Sequence, residues 1–378
     1  MDWRVPLADL DFGPEEENAV IGVLRSKWLT MGEVTQRFET EFGKMVGSRY
    51  VFAVSNATEA LHLAYLAVGV GPGDEVIVPS LSFVATSNAV LYAGGDVRFA
   101  DVCGSHDLTI DPEDIERKIT PHTRAIAVMH YGGYPCRMEE IMAIAQRHHL
   151  PVIEDAAHSP GATLQEKALG TWGEVGCFSF FSNKNLSTGE GGMIVTDNEE
   201  MANKIRLQRS HGMTTLTYDR HKGHAYSYDV VDLGFNYRID EIRAALGLEQ
   251  LKKLAHNNAL RKTWSELYRA KLANVNVEIP FQNHPGQSAY HLFPVLLPQG
   301  ADRKQVIDRM RQQQIQTSIH YPPTHCFTYY TGRYGSTSLP CTEDLARREL
   351  TLPLYPTMGE EAVELVVQAL KTALEKKG

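Results

Sequence analysis

The sequence predicts an α/β protein: a mostly parallel sheet covered by helices on both faces, followed by a smaller α+β domain. Three observations carry this. Short β-branched runs alternate with amphipathic helical segments over most of the chain, the pattern of a parallel sheet with crossover helices. Clusters of Gly, Pro and Asp punctuate those runs. From about residue 256 the alternation gives way to a helix, short strands and another helix. The expected division is a large domain over 1–255, N-terminal segment included, and a small domain over 256–378.

Residues 14–46 alternate charged and apolar positions in a helical manner. After the turn Gly71-Pro72-Gly73-Asp74, the run EVIVP (75–79) reads as a buried strand. Residues 97–102, 124–131 and 151–155 read likewise. Between the last two, Met138, Ile141, Met142 and Ala145 fall at i, i+3, i+4 and i+7, which predicts an amphipathic helix. Strands over 175–181 and 192–197 flank a polar, Gly-rich loop. A helix over 199–210, a surface loop over 211–232 and a helix over 239–255 are expected next. Beyond them lie a further helix, strand-like HLFPVLL (291–297) and a helix over 302–314.

The chain has 378 residues, 43% of them hydrophobic, enough for a sizeable core. Its formal net charge is −9 and its Lys and Arg are scattered, so no basic stripe invites a nucleic acid. An anion needs local positive groups or backbone N–H groups instead. The cysteines are Cys103, Cys136, Cys177, Cys326 and Cys341. An odd number without close pairing argues against a disulfide framework or a zinc ribbon, and no metal site is expected. Reduced thiols suit a cytoplasmic protein. The start, MDWRVPLADLDFG, lacks the basic-then-apolar order of a secretory leader. No apolar run reaches the roughly 18 residues of a membrane span.

Five segments carry chemistry. Ser55-Asn56-Ala57-Thr58-Glu59 follows a strand-like run, and a helix starting near Thr58 would aim free N–H groups at an anion. The same residue types are also ordinary helix caps. Asp155, in EDAAH, ends a buried strand, where open α/β sheets bind ligands. Its carboxylate suits a protonated ring nitrogen, or equally a helix cap or a metal; His158 nearby suits a structural hydrogen bond. Lys184 sits in SNKNLSTGEGG, a Ser- and Gly-rich turn after a strand. Lysine is the residue of carbonyl Schiff-base chemistry once it is desolvated, although a lone turn lysine is usually a solvated one. Ser179, five positions earlier, is placed to reach a phosphate. Phe83 follows a strand end, as a ring-stacking residue or a core aromatic. Gly234-Phe235-Asn236-Tyr237-Arg238 offers an Asn and an Arg for a helix cap or an anion.

These segments together resemble the DegT/DnrJ/EryC1/StrS family of pyridoxal phosphate (PLP)-dependent sugar aminotransferases. The likeness spans essentially the whole chain and includes Trp28-Leu29-Thr30, His130-Tyr131-Gly132, His320-Tyr321-Pro322 and Leu352-Pro353-Leu354. It implies the fold-type I aminotransferase fold, with a seven-stranded sheet, and a homodimer with sites shared at the interface. It implies that Lys184 carries PLP as a Schiff base and Asp155 binds the pyridine nitrogen. Ser179, Ala57 and Thr58 would hold the phosphate, Phe83 would stack on the ring, and Asn236 would reach the partner subunit's cofactor phosphate. His158 stands where the family has Gln or His beside the cofactor. Ala57 departs from the glycine common there, but its backbone N–H survives a methyl group.

The resemblance also implies the reaction. An amino group passes from Glu or Gln, by way of pyridoxamine phosphate, to a keto carbon of a dTDP- or UDP-linked keto-deoxysugar. Members acting at C4 typically show a GFNYR-like segment, which favours C4 here. Thr30, Arg238, His320 and Tyr321 are the expected substrate contacts. The 209–224 loop carries local positive charge, so Arg220 and Lys222 are expected to reach the sugar's diphosphate, the alternative being a solvated loop. A C3-keto sugar or a cyclitol ketone is the alternative acceptor. A sugar dehydratase is disfavoured because Lys184 is present where such relatives carry histidine. A regulatory protein that keeps the fold without catalysis need not retain Lys184, Asp155 and the phosphate cup together.

Overall fold

The computed structural model describes residues 3–215, 223 and 227–375. Its strands are β1 (Tyr50–Val54), β2 (Glu75–Pro79), β3 (Asp96–Ala100), β4 (Val102–Gly104), β5 (Asp107–Ile110), β6 (Thr123–Met129), β7 (Val152–Asp155), β8 (Thr163–Leu164), β9 (Lys167–Ala168), β10 (Val175–Ser179), β11 (Gly192–Thr196), β12 (Phe293–Leu296) and β13 (Glu349–Leu352). Seven of them form the main sheet in the order β1-β11-β10-β7-β6-β2-β3. All its neighbours pair in parallel except β11, which runs antiparallel to β1 and β10. β4 with β5 and β8 with β9 form small hairpins that the sequence reading did not separate.

Alternation along the strands explains how both faces are covered. On β2, Val76 and Val78 join one core cluster, with Leu61, Ala64 and Tyr65 of the helix Ala57–Ala67. Ile77 between them joins the opposite cluster, with Met138, Ile141 and Ala145 of the helix Met138–His148. Successive strand side chains point to opposite faces. β7, β10 and β11 are buried along their whole length, which is why they read as near-continuous apolar runs.

The predicted helix break near residue 255 is corrected: one helix runs unbroken over Glu241–Leu272. Its polar residues Asn257 and Asn258 stay inside it because they bind other segments. Asn257 Nδ2 donates to Asp11 Oδ2 at 3.1 Å and Asn258 Nδ2 donates to the carbonyl of Pro160 at 2.9 Å. Asp240 caps the helix start by accepting from Arg243 N. Glu241 reaches back to the backbone N–H groups of Gly32, Val34 and Thr35, each at 2.8 Å, and so ties down the start of the helix Glu33–Val46. The far end of the long helix, at Tyr268 and Leu272, packs into a core with Val295 of β12 and Leu350 and Leu352 of β13. Helices Arg303–Gln312 and Glu360–Leu374 close that core. All five cysteines are free. Among the described residues no helix is long and apolar enough to cross a membrane.

Candidate active site

The carboxyl ends of β1, β7 and β10 and the start of β11 lie at one edge of the sheet. There they open into a cavity of about 770 Å³. Because β11 returns antiparallel to β10, the loop that joins them, carrying Lys184, crosses this edge. Ala57, Thr58, Phe83, Asp155, His158, Ser179, Lys184, His320 and Tyr321 all line the cavity.

At one end is the start of the helix Ala57–Ala67. Asn56 Oδ1 accepts from Glu59 N at 3.0 Å and caps it. The first-turn N–H groups of Ala57 and Thr58 are those a helix cannot pair internally, and they carry its positive dipole end. A Cβ on Gly192 would lie 2.7 Å from the carbonyl carbon of Asn56 and 2.9 Å from the nitrogen of Ala57. Glycine there lets β11 pass hard against the helix start.

At the centre is Asp155, 4% exposed. Its Oδ2 accepts from Thr86 Oγ1 at 2.6 Å, and its Oδ1 from Ala157 N at 3.2 Å. Burial raises its pKa, opposed by the Thr86 and Ala157 hydrogen bonds and by the charge of Lys184. Lys184 answers in kind. Burial lowers its pKa from 10.5 to about 8, against the pull of Asp155. An amine in that range is about one-fifth neutral at physiological pH, a far larger reactive fraction than an ordinary lysine offers to Schiff-base chemistry.

Three imidazoles surround the amine. Those of His158 and His291 are held well below the usual histidine pKa by burial and by the Lys184 charge, and His320 is pushed down to about 3 for the same reasons. His158 Nδ1 accepts from Gly132 N at 3.2 Å, so its proton is on Nε2, which lies 3.0 Å from the hydroxyl of Tyr321. The Tyr321 oxygen therefore accepts, and its own proton is left for the cavity. His320 Nδ1 lies 2.8 Å from Thr351 Oγ1, whose hydroxyl donates to the buried Glu349 at 2.5 Å.

Not every expected site residue faces this cavity. Thr30 is exposed and bridges to Asp240, Asn236 is exposed, and Arg238 is half-buried; none lines the cavity. Arg220 and Lys222 lie outside the described residues. Phe83 is 56% exposed at the cavity wall, so it is not a core aromatic. The sequence reading missed Thr86, Asn183, Arg243 and His291. No local pattern marks Thr86, and His291 was hidden at the head of an apolar strand-like run.

The chemistry of this donor set fits PLP. An amine, a buried carboxylate and a free helix start share one cavity of a size typical for cofactors and small ligands. Asn183 Oδ1, in the cavity wall, is buried and has no hydrogen-bond partner among the described residues. Fold and site thus define a lysine-based PLP enzyme on an α/β scaffold. Residues 11–371 match the model of the DegT/DnrJ/EryC1/StrS aminotransferase family, and the chain belongs to that family of PLP-dependent sugar aminotransferases. It is 37% identical to the spore coat polysaccharide biosynthesis protein SpsC of Bacillus subtilis, over 98% of this chain and 96% of SpsC. Among solved structures it is similar to Helicobacter pylori PseC, an aminotransferase involved in the biosynthesis of pseudoaminic acid. That match has a TM-score of 0.92 and 28% identity over 98% of each chain. It is also similar to S. venezuelae DesV, solved in complex with a ketimine intermediate, with a TM-score of 0.90 and 31% identity over 100% of each chain.

Proposed function

We propose that the protein transfers an amino group from Glu or Gln to the C4 keto carbon of a dTDP- or UDP-linked keto-deoxysugar. The observation that carries this reading is the meeting of Lys184, Asp155 and the start of the helix Ala57–Ala67 in one cavity. The choice of C4 rests on the GFNYR segment at 234–238. SpsC, named for spore coat polysaccharide biosynthesis, and PseC, an aminotransferase of pseudoaminic acid biosynthesis, support a sugar acceptor.

In this reading the N–H groups of Ala57 and Thr58, with the Ser179 hydroxyl, hold the cofactor phosphate, which fixes position rather than performing chemistry. Asp155 holds the ring nitrogen, and the positive charge there favours its ionised form against burial. Phe83 and His158 bound the ring. PLP, when bound, supplies the electron sink for the carbon that gains or loses its proton. The Lys184 amine takes that proton from one carbon and returns it at another, acting as base and then acid. His320 and Tyr321, in the cavity wall, contact the acceptor sugar. Asn236, exposed in its own subunit, serves the cofactor phosphate of the partner subunit in a homodimer, with Arg238 and Thr30 beside the substrate.

The test is spectroscopic and then chemical. The purified protein is expected to be yellow and to lose its visible band with Glu or Gln. It should then aminate one of a parallel set of dTDP-, UDP- and GDP-linked keto sugars, with product position read by NMR. Lys184→Ala should abolish turnover. A visible band that persists with every amino donor would overturn the aminotransferase reading.

A further inference from the structure

His291 opens the segment that leads into β12 and reaches the amine of Lys184, with Nε2 3.5 Å from Nζ. It is 5% exposed. Its other nitrogen, Nδ1, lies 3.0 Å from Asn185 Oδ1. The orientation of Asn185 is itself determined: Nδ2 donates to Asn258 Oδ1 at 2.8 Å and to the carbonyl of Ala289 at 2.7 Å. Asn258 is fixed in turn, because its Nδ2 donates to the carbonyl of Pro160. Each amide therefore presents its oxygen in one direction. The oxygen of Asn185 requires a proton on His291 Nδ1, and this leaves a bare lone pair on Nε2, facing Lys184.

We infer that His291 is a further catalytic residue: its Nε2 accepts a hydrogen bond from the Lys184 amine, and Asn258 and Asn185 hold it in the tautomer that does so. The inference rests on Lys184 being the Schiff-base lysine. A lysine that collects a proton from carbon becomes an ammonium in a dry site and needs an acceptor there. The groups around Lys184 are Asp155 from β7, His158, His291, His320 and Tyr321. The Nδ1 of His158 already accepts from Gly132 and its Nε2 proton goes to Tyr321, so that ring offers no lone pair to the amine. Asp155 is reserved for the ring nitrogen. His291 makes no covalent bond and keeps its own proton on Nδ1 throughout. The transferred proton stays on Nζ until Lys184 returns it.

Two measurements on the full chain test this. Nitrogen-15 NMR of the histidine rings, with the His291 signal assigned by its loss in His291→Gln, should report a proton on Nδ1 and none on Nε2. The opposite tautomer would overturn the inference. The second measurement is the pH dependence of Lys184 acetylation in the cofactor-free protein, read by peptide mass spectrometry. The wild-type midpoint should fall near 8. His291→Leu removes the acceptor and should lower it by about one pH unit, a tenfold loss of proton affinity. His291→Gln keeps an acceptor oxygen and should stay close to wild type. An unchanged midpoint in a folded His291→Leu protein would overturn the role of His291. Borohydride reduction of the yellow holoenzyme separates the two readings. An adduct absent from Lys184 removes the Schiff-base assignment itself, whereas an adduct present with an unmoved midpoint removes only the role of His291.

Discussion

The hydroxyl of Thr86 donates to Asp155 Oδ2 across 2.6 Å, joining the start of the helix Ala85–Tyr92 to the end of β7. Thr86 is held for the task from both ends: Ser82 Oγ lies 2.8 Å from its hydroxyl and Tyr65 donates to its carbonyl at 3.0 Å. The hydrogen bond stabilises the charged carboxylate and so lowers a pKa that burial raises. Thr86→Val keeps the volume and removes the donor. Asp155 should then hold its proton to higher pH, so the acid limb of the kcat profile should move to higher pH. We expect kcat to fall about tenfold, stability to drop by about 1–3 kcal/mol, and Thr86→Ser to restore most of both. A pH–rate profile with a denaturant titration of the three proteins checks this.

Much of this site was legible because its parts are local. Asp155 ends a buried strand and Lys184 lies in a Gly-rich turn, so strand ends and turn residues mark both. Ser55-Asn56-Ala57 reads as a helix start for the same reason. The sheet was legible through short β-branched runs set between helical segments and through their Gly and Pro punctuation. What stayed hidden depends on pairs far apart in sequence. His291 and Lys184 are 107 residues apart, and Thr86 and Asp155 are 69 apart. The antiparallel direction of β11 depends on its pairing with β1, which no local pattern records. The unbroken helix Glu241–Leu272 likewise depends on distant partners, because its buried Asn257 and Asn258 are bound by Asp11 and Pro160.

Tyr321 provides a prediction about acceptor binding. Because His158 Nε2–H donates to its oxygen at 3.0 Å, the phenolic proton is directed at the cavity. Tyr321→Phe removes that proton and leaves the His158 donor unpaired. We expect kcat/KM for the sugar to fall about tenfold, with the visible absorbance of the bound cofactor unchanged. Steady-state kinetics in both substrates distinguishes this outcome from a general loss of activity, because KM for the amino donor should move little.

Glu349 yields a prediction about stability. It is 1% exposed, and burial raises its pKa from 4.5 to about 7 despite hydrogen bonds from Thr351 and the His320 backbone N–H. The folded state therefore binds its proton more tightly than the unfolded state. Its contribution to stability is fully present below pH 4.5 and is lost as pH rises through 7. A rise from 4.5 to about 7 corresponds to roughly 3 kcal/mol. Glu349→Gln cannot titrate, so the difference in unfolding free energy between variant and wild type should change by an amount of that order between pH 4.5 and 7.5. Denaturant titrations of both proteins at the two pH values measure it.

The last prediction concerns whose site Asn236 completes. Within its own subunit Asn236 is exposed and does not line the cavity that holds Lys184 and Asp155, whereas its neighbour Tyr237 does. Backbone pairing explains the split. The segment runs extended, bridging to Ser210 at Asn236 and to Val54 at Arg238, so alternate side chains point to opposite sides. Tyr237 turns into its own cavity, while Asn236 and Arg238 turn away from it together. If they reach the partner's cofactor, loss of Lys184 and loss of Asn236 damage different sites when they occur on different chains. Lys184→Ala and Asn236→Ala should each be strongly impaired alone. In a mixed dimer of the two, one site receives a sound lysine from one chain and a sound asparagine from the other, and the second site receives neither. Mixing should therefore recover about half of wild-type activity per mixed dimer, up to about one quarter in a random equimolar mixture, where half of the dimers are mixed. Activity that stays at the level of the separate variants, with subunit exchange confirmed by mass spectrometry, would place Asn236 in the service of its own chain.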